Sequence, residues 1–369
     1  MNPLSSLKYF PKDSSFTGSI EMLGIIIPTM NRSEFVIRQL KYYASVNCPF
    51  TIYIGDSSNE THVKKVLFGI EKLKKSIKVV YKQFPELNGP NTLKELIRIT
   101  KEKYVAFVGD DDFLVPNSLK KCATFLDANP EYSSAQGKAI IFSLSLSGAY
   151  GNTVSVGTYH LKINEYETPT ERLLHFLSGY WVPLFSVHRT RDFFQDHINV
   201  ELLNDIPFTE IMANCMTIIR GKSKQLDCLY LVRQGHDARL KVPNSINWVT
   251  GPNWQPSYQV FHDTLRDALM EKEEIDQDTA SKIVRATFEK YLSNAFIGKQ
   301  PKREHSLLVS SKELIKQSPG LKQAYHQARS AIPIFRNEMS LQRLLKPKSP
   351  YHEDFVPVYN SITMPHLSG

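Results

Sequence analysis

The sequence has few cysteines and no long hydrophobic run. Four cysteines occur among 369 residues and none forms a C-x-x-C pair, which argues against a disulfide framework and against a structural zinc site. No stretch reaches the ~18 consecutive apolar residues that a membrane span requires, and residues 1–21 lack the apolar core of a signal peptide. We therefore expect a protein of the reducing cytoplasm that neither crosses a membrane nor is exported.

Acidic residues are outnumbered by basic ones, since 37 Asp and Glu stand against 45 Lys and Arg, with a net charge of +8. This balance favours phosphate-bearing partners, whether a nucleotide, a nucleic acid or an anionic lipid surface, and does not choose among them. Hydrophobic residues at 41% and charged residues at 22% match ordinary globular usage and exclude a disordered chain. The length favours two domains, or one α/β domain with an extension.

Short apolar runs alternate with helical spacing over the first third of the chain. Strands are predicted at 23–27, 51–54, 77–81 and 104–108, with amphipathic helices between them. Strands that alternate with helices of this length form parallel sheets with right-handed crossovers, so the sequence predicts a doubly wound, mostly parallel α/β sheet. In such sheets ligands bind beyond the carboxyl ends of the strands.

The alternation becomes less regular in the middle of the chain. Further strands are predicted near 135–142 and 182–187, and helices near 169–177 and 208–219. The stretch 242–256, rich in Pro, Asn and Trp, is typical of a linker or a long surface loop. It separates the sheet domain from the region that follows.

That C-terminal region is expected to be helical and is strongly basic. Residues 279–348 hold fourteen Lys or Arg, four Glu and no Asp. These charges belong either to solvated helix faces or to a surface that docks on anionic lipid or a long acidic glycan. Nucleic-acid binding is not expected, because interleaved aromatic residues and a recognition motif are missing. The candidate phosphate contacts are Lys299, Lys302, Arg303, Lys346 and Lys348.

Three consecutive carboxylates, Asp110, Asp111 and Asp112, directly follow the predicted strand at 104–108. Adjacent carboxylates repel one another unless a cation offsets their charge. Hard oxygen ligands select Mg²⁺ or Mn²⁺, and Mg²⁺ usually binds through one or two carboxylates with substrate phosphates completing its shell. The alternative is a solvated acidic turn that caps the helix near Ser118.

Four short motifs occur in order along the predicted sheet, at Ile25–Arg32, Ile54–Ser58, Asn88–Asn91 and Val108–Leu114. They are similar to the opening I-I-P-T-x-N-R, the second-strand V-x-D-x-S, the Gly-and-Asn loop and the DxD element of family 2 glycosyltransferases. The chain therefore resembles this family of the GT-A superfamily, and in particular a bacterial branch with three Asp in the DxD motif. The resemblance covers about residues 22–240.

The resemblance implies a division of the chain and a donor site. A GT-A domain with a Rossmann-like sheet would span 22–240, between a tail at 1–21 and a basic helical region at 241–348. Apart from the resemblance, the C-terminal tail at 349–369 is expected to be poorly ordered. A nucleotide-sugar would bind through its base, ribose and diphosphate. The implied donor contacts are Pro28, Thr29 and Arg32 at the nucleotide, Asp56 at the base or ribose, Asp110 near the ribose, and Asn91, Asp111 and Arg233.

The resemblance also implies a metal site and a general base. Asp112 would bind the metal, and His236, in a sequence like the family's closing R-x-H, would complete its shell or contact the phosphates. Family members place the base in an E-D pair at the start of a helix, and Glu210 occupies this place, although Ile211 replaces the usual Asp. Asp205 is the competing candidate. Glu210 could instead be a first-turn carboxylate that the helix dipole favours.

An aromatic residue is expected at the acceptor site of such enzymes. Trp181 falls in the matching stretch, where its indole could stack on the apolar face of a sugar; burial in the core is the other interpretation. The sequence as a whole predicts a metal-dependent inverting glycosyltransferase that uses a nucleotide diphosphate sugar, with UDP-sugars favoured, and a glycan or lipid-linked acceptor. Surface polysaccharide assembly in the cytoplasm, with peripheral contact at the inner face of the membrane, is the expected setting.

Two other functions remain open at this point. A nucleotidyltransferase that acts on sugar phosphates uses a similar sheet with metal-binding carboxylates, but it would need a Gly-rich triphosphate loop after its first strand, where this chain has Pro28-Thr29-Met30-Asn31. A non-catalytic nucleotide-sugar-binding protein would retain Asp56 and the three Asp, and would need no general base.

Overall fold

The computed structural model describes residues 22–146, 148–236, 244–297 and 339–363. The strands are β1 (Leu23–Thr29), β2 (Thr51–Asp56), β3 (Val79–Gln83), β4 (Tyr104–Phe107), β5 (Phe113–Leu114), β6 (Tyr132–Leu144), β7 (Thr153–Tyr159), β8 (Val187–Arg189) and β9 (Lys222–Gln234). The helices are α1 (Ser33–Ser45), α2 (Glu60–Leu73), α3 (Gly89–Ile99), α4 (Pro116–Ala128), α5 (Pro169–Ser178), α6 (Thr190–Asp196), α7 (Ile206–Arg220), α8 (Ser245–Val249), α9 (Trp254–Glu273), α10 (Gln277–Ile297), α11 (Leu341–Leu344) and α12 (His352–Thr363).

The strands form one mixed sheet in the order β3-β2-β1-β4-β8-β6-β9-β5, with β7 beside β6. The first four strands in this order are parallel, and β6 and β9 also pair in parallel. The pairs of β8 with β4 and β6, of β5 with β9 and of β6 with β7 are antiparallel. This architecture confirms the predicted α/β class with a mostly parallel sheet.

The central parallel strands are buried on both faces, as expected where crossover helices cover both sides of a sheet. Ile25, Ile26 and Ile27 of β1 are fully buried, as a continuous apolar run predicts. Thr29 at the end of β1 is in register with Asp56 at the end of β2, and β4 ends beside β1. The carboxyl ends of β1, β2 and β4 therefore meet at one edge of the sheet.

Several elements differ from the sequence-based predictions. The predicted strand at 182–187 is a 3-10 turn, Pro183–Phe185, followed by the short β8. The expected loop at 242–256 contains α8 and the start of α9. Strand β9 was not predicted, because its first half carries mostly polar residues and its pairing with the distant β6 stabilises it.

The C-terminal tail also differs from the prediction, because residues 352–363 form α12. Phe355, Val358 and Ile362 of this helix are fully buried in the same core as β1 and α1. Their spacing places them on one helix face, which accounts for the docking. The expectation of a poorly ordered tail is therefore wrong for this segment, while 1–21 and 364–369 lie outside the described residues.

A second hydrophobic core lies among helices α5, α7, α9 and α10. Phe208 of α7 is central to it, with its ring centroid 5.0 Å from that of Trp248 and 5.6 Å from that of Phe288. Helices on both sides of the predicted boundary at residue 240 thus share one core. The region after the boundary completes a helical layer that α5 and α7 begin.

The basic surface predicted for the C-terminal region is only partly described. Lys346 and Lys348 are exposed between α11 and α12. Lys299, Lys302 and Arg303 lie outside the described residues. Among the helices that the structure describes, none has the length and apolar character needed to cross a membrane.

Two buried histidines make the fold sensitive to acid. His188 stacks on Phe193 with its Nε2 3.1 Å from the carbonyl oxygen of Pro183, and Nδ1 of His197 lies 2.8 Å from that of Phe193. Burial lowers the pKa of His188 to about 3 and that of His197 to about 4. The unfolded chain, whose histidines titrate near pH 6.5, thus binds more protons than the native protein below that pH, and stability falls as the pH decreases.

Lowering the pH from 6.5 to 5 should reduce the free energy of unfolding by about 1.5 kcal/mol for each of these histidines. A His197→Gln variant should show a smaller pH-dependent drop than the wild type, by about that amount. The exposed His160 provides a matched control, because His160→Gln should leave the drop unchanged. Denaturant unfolding at both pH values measures these drops, and equal drops in all three proteins would contradict the account.

Candidate functional site

The three consecutive aspartates form a tight turn directly after β4. The backbone N–H of Asp112 donates to the carbonyl oxygen of Gly109 at 3.1 Å, which closes the turn. A Cβ atom on Gly109 would lie 2.8 Å from Oδ1 of Asp111, so a larger residue there would displace this carboxylate. All three carboxylates are at least 93% buried, with exposures of 4%, 7% and 1% for Asp110, Asp111 and Asp112. The turn is therefore not the solvated acidic cap that was the alternative interpretation.

The first carboxylate of the cluster, Asp110, binds two residues from the end of β1. Oγ1 of Thr29 donates to Oδ2 of Asp110 at 2.7 Å, and Nη1 of Arg32 lies 3.1 Å from Oδ1. Burial, together with repulsion from Asp111 and Asp112, raises the pKa of Asp110 to about 7, although Arg32 and Thr29 oppose the rise. The carboxyl group of Asp110 is thus about half ionised at neutral pH.

The second carboxylate joins Arg32 to a histidine at the end of β9. Oδ2 of Asp111 accepts from Nη2 of Arg32 at 2.9 Å and lies 2.8 Å from Nε2 of His236. Although burial opposes it, these partners hold the pKa of Asp111 below its usual range. Nε2 of His236 also lies 3.1 Å from Nη2 of Arg32, so the tautomer decides whether it donates or accepts, and Nδ1 is buried with no partner among the described residues.

The third carboxylate is the most enclosed. Oδ2 of Asp112 accepts from Nε of Arg233 at 2.8 Å, and Oδ1 accepts from the backbone N–H of Gln234 at 2.9 Å. Burial and repulsion from Asp111 raise the pKa of Asp112, while Arg233 opposes the rise. The guanidinium of Arg233 also lies over the rings of Tyr159 and Phe185, at 4.7 and 4.3 Å.

Two residues of α1 that the sequence analysis missed support the turn from below. Nη2 of the fully buried Arg38 donates to the carbonyl oxygen of Asp111 at 2.7 Å, and its Nη1 donates to Oε1 of Gln234 at 2.6 Å. Nε2 of Gln39 donates to the carbonyl oxygen of Asp112 at 2.7 Å. Both residues occupy the apolar face of an amphipathic helix, and polar residues at core positions were the signal that could have identified them.

Asp112 and His236 are the two residues of the cluster that would hold a divalent metal. No group of three or more His, Cys, Asp or Glu able to hold an ion occurs among the described residues. Asp112 has hard carboxylate oxygens, which also accept from Arg233 and Gln234, and Nδ1 of His236 is a ring nitrogen with no partner among the described residues. These two groups would hold Mn²⁺ or Mg²⁺, with phosphate oxygens and water as the other ligands.

Other predicted donor contacts lie around the cluster in different roles. Asp56 is fully buried, and its carboxylate accepts from the Tyr81 hydroxyl and from the backbone N–H of Ser58, both at 2.8 Å. These bonds organise the loop after β2 and use both oxygens. Pro28 lies in β1 directly before Thr29, half-buried at the edge of the site.

A cleft with a volume of about 350 Å³ lies apart from the aspartate cluster, between the first turns of α3 and α7. Asn91 and Asp205 both line it, and neither contacts the aspartate cluster in the hydrogen bonds of the described residues. Oδ1 of Asp205 caps α7 by accepting from the backbone N–H of Phe208 at 2.9 Å, and both carboxylate oxygens accept from Nε1 of Trp248. Asp205 is thus a helix cap with a fixed orientation.

Glu210 lies one turn further along α7 and is exposed. Its Oε1 accepts a hydrogen bond from the Tyr180 hydroxyl at 2.7 Å. A carboxylate with one oxygen held and an exposed position is available to accept a proton from a bound hydroxyl group. Of the two candidates for the base, Glu210 is exposed, whereas Asp205 is held as a helix cap.

Trp181 does not occupy an acceptor site, contrary to one interpretation of the sequence. Its side chain is 4% exposed in the second core, with its ring edge-on to Phe176 at 4.9 Å and with the Lys162 ammonium 5.6 Å from the ring. No open ring face is left for a sugar. The indole is a core residue because apolar helix residues of α5 surround it.

Comparison with protein families gives a match for the sheet domain. Residues 24–174 match the family described as glycosyl transferase family 2. The matched region includes β1, β4 and the three aspartates. No curated protein sequence matches the chain.

Solved structures with a similar fold have low sequence identity to this chain. For S. aureus TarS the identity is 14% and the TM-score 0.45, covering 74% of this chain and 44% of that one. For S. aureus TarS 1-349 in complex with UDP-GlcNAc the sequence identity is 15% and the TM-score is 0.47, and the match covers 77% of each chain. For the Pyrobaculum calidifontis mannosyltransferase PcManGT in complex with GDP-Man and Mn²⁺, the sequence identity is 11% and the TM-score is 0.40. The match covers 83% of each chain.

This chain thus spans less than half the length of the longer S. aureus TarS chain, of which the match covers 44%. At such TM-scores and identities the similarities assign no residue role. The family match, in contrast, covers the strands whose ends carry the aspartate cluster. It identifies residues 24–174 as a domain similar to glycosyl transferase family 2.

Proposed function

We propose that the protein is an inverting, metal-dependent transferase that moves a hexose-type sugar from a nucleotide diphosphate sugar to a glycan or lipid-linked acceptor. UDP-sugars are the favoured donors, and surface polysaccharide assembly is the favoured pathway. The observation that carries the proposal is the aspartate cluster at the carboxyl ends of β1 and β4, inside the matched family region. Exposed Lys346 and Lys348 support peripheral contact with an anionic surface.

The charges of the cluster suit a diphosphate. Arg32 and Arg233 bring guanidinium groups to the same turn, and both are mostly buried. Buried guanidinium groups bind phosphate oxygens more strongly than exposed ones, because little water competes for them. A donor diphosphate would share these two arginines with the aspartates.

A divalent metal, when bound by Asp112 and His236, would neutralise charge that develops on the diphosphate as the glycosidic bond breaks. Arg32 and Arg233 would orient the leaving nucleotide. Glu210 would accept the proton of the acceptor hydroxyl, from the side of the sugar opposite the nucleotide, as inversion requires. Each residue thus has a separate part in binding, departure of the nucleotide or proton transfer.

The proposal is tested by incubating the protein and Mn²⁺ with a panel of UDP- and GDP-sugars and measuring release of the nucleoside diphosphate. One donor should be turned over faster than the others, with the rate lost on chelation by EDTA and restored by added Mn²⁺. Heat-denatured protein is the control. Equal background release from every donor would contradict the proposal.

A further inference from the structure

Tyr180 and Glu210 form a hydrogen-bonded pair that connects the loop after α5 with α7. The Tyr180 hydroxyl donates to Oε1 of Glu210 at 2.7 Å, from a loop residue just after α5 to the first turns of α7. The Tyr180 ring packs against Phe176 at 5.2 Å and against Tyr291 at 5.4 Å. The glutamate is exposed, whereas the tyrosine that holds it is packed among aromatic rings.

The direction of this hydrogen bond is fixed by a second one. Nδ2 of Asn214 donates to the Tyr180 oxygen at 3.2 Å, so that oxygen is the acceptor there and its proton is left for Glu210. Oδ1 of Asn214 in turn accepts from the backbone N–H of Leu184 at 2.9 Å, which sets the orientation of the amide. Asn214 is 2% exposed and lies one turn after Glu210 on α7.

The tyrosine remains a donor over the working range of pH. Burial and the negative charge of Glu210 raise the pKa of Tyr180 well above its ordinary value. Its hydroxyl therefore keeps its proton. The one carboxylate oxygen that it binds is committed to this contact, and the other oxygen of Glu210 is left to an acceptor hydroxyl.

We propose that Tyr180 is a positioning residue for the general base: through its hydroxyl, anchored by Asn214, it fixes the carboxylate of Glu210 in one orientation. This inference rests on the proposed function of Glu210. A carboxylate on an exposed side chain samples several rotamers, and holding one of them reduces the entropy lost when the reacting groups come together.

The segment of residues 180–185 also contacts Arg233, which binds the aspartate cluster. Leu184, whose N–H binds Asn214, is followed by Phe185, and the Phe185 ring lies 4.3 Å from the guanidinium of Arg233. Arg233 binds Asp112. Residues 180–185 thus place the base and the arginine of the aspartate cluster relative to each other.

The test is a Tyr180→Phe variant, which retains the ring and removes only the hydroxyl. We expect kcat to fall about 10- to 100-fold, as for loss of a hydrogen bond to a charged group, with an unchanged Kd for the nucleoside diphosphate. The acid side of the kcat/KM profile should move to higher pH, because the carboxylate loses a donor that stabilises its charged form. Tyr291→Phe is the matched control and should keep both kcat and the profile.

A double-mutant cycle keeps the inference falsifiable if the single variant is less stable. In a Glu210→Gln background, Tyr180→Phe should cause no further loss of kcat, because the base on which it acts is absent. Independent, multiplying losses would overturn the inference, as would a Tyr180→Phe enzyme with wild-type kcat and pH profile. If Glu210→Gln itself retains the wild-type rate, the base assignment of the proposed function fails instead, so the two failures are distinguishable.

Discussion

Replacing Glu210 by glutamine should lower kcat by about 10²- to 10⁴-fold, the usual contribution of a general base, and leave donor affinity unchanged. Glutamine keeps the shape of the side chain and can still accept a hydrogen bond from Tyr180, but it cannot take up the proton of an acceptor hydroxyl. Initial rates of transfer and a calorimetric titration with the nucleoside diphosphate measure the two quantities.

Asp205→Asn is the matched control for this variant. Asparagine caps a helix about as well as aspartate, so the variant should fold and retain a transfer rate within a few-fold of the wild type. An inactive Asp205→Asn together with an active Glu210→Gln would reverse the assignment of the base. The two variants differ in one respect that matters here, since Asp205 is fixed between Phe208 and Trp248 whereas Glu210 has an oxygen available.

Replacing Asp112 by asparagine should reduce stability by about 3 kcal/mol and abolish measurable donor binding. The substitution leaves the guanidinium of Arg233 buried without its carboxylate, and an uncompensated buried charge is costly. The rings of Tyr159 and Phe185 beside Arg233 offset only a part of this cost. Denaturant unfolding and titration with the nucleoside diphosphate provide the two measurements.

Asp127→Asn provides the comparison, because Asp127 pairs with Lys103 at the surface rather than in the core. Removing that charge should change the free energy of unfolding by less than about 1 kcal/mol and leave donor binding intact. If Asp112→Asn proves as stable as Asp127→Asn and binds the nucleotide normally, the aspartate cluster is not the donor site.

The central sheet and the aspartate cluster could be predicted because their signals are local. Apolar runs at β1 and β4 determine buried parallel strands, and polar residues after such strands gather at one sheet edge. Arg32, Arg233 and His236 meet the aspartates there. Arg38 was missed although it is fully buried, because a lone cation on an apolar helix face gives no indication of its partners.

Features that depend on distant contacts could not be predicted. Strand β9 forms against β6, some ninety residues earlier in the chain, and α12 returns to the core of β1 and α1. Trp181 is buried in the second core, which helices α9 and α10 complete after the sheet domain ends. The hydrogen bond of Tyr180 with Glu210 likewise joins two elements whose packing no local spacing determines.

The most direct test of the account is a calorimetric titration of the wild-type protein with UDP and with GDP, each with and without Mn²⁺. The account predicts that one nucleotide binds, more tightly with Mn²⁺, and that at 100 times its Kd it stabilises the protein by about 2.7 kcal/mol. In Asp112→Asn, binding of this nucleotide should not be detectable, either with or without Mn²⁺. Absence of binding by either nucleotide to the folded wild-type protein, with or without Mn²⁺, would contradict the claim that the aspartate cluster is a nucleotide-sugar site.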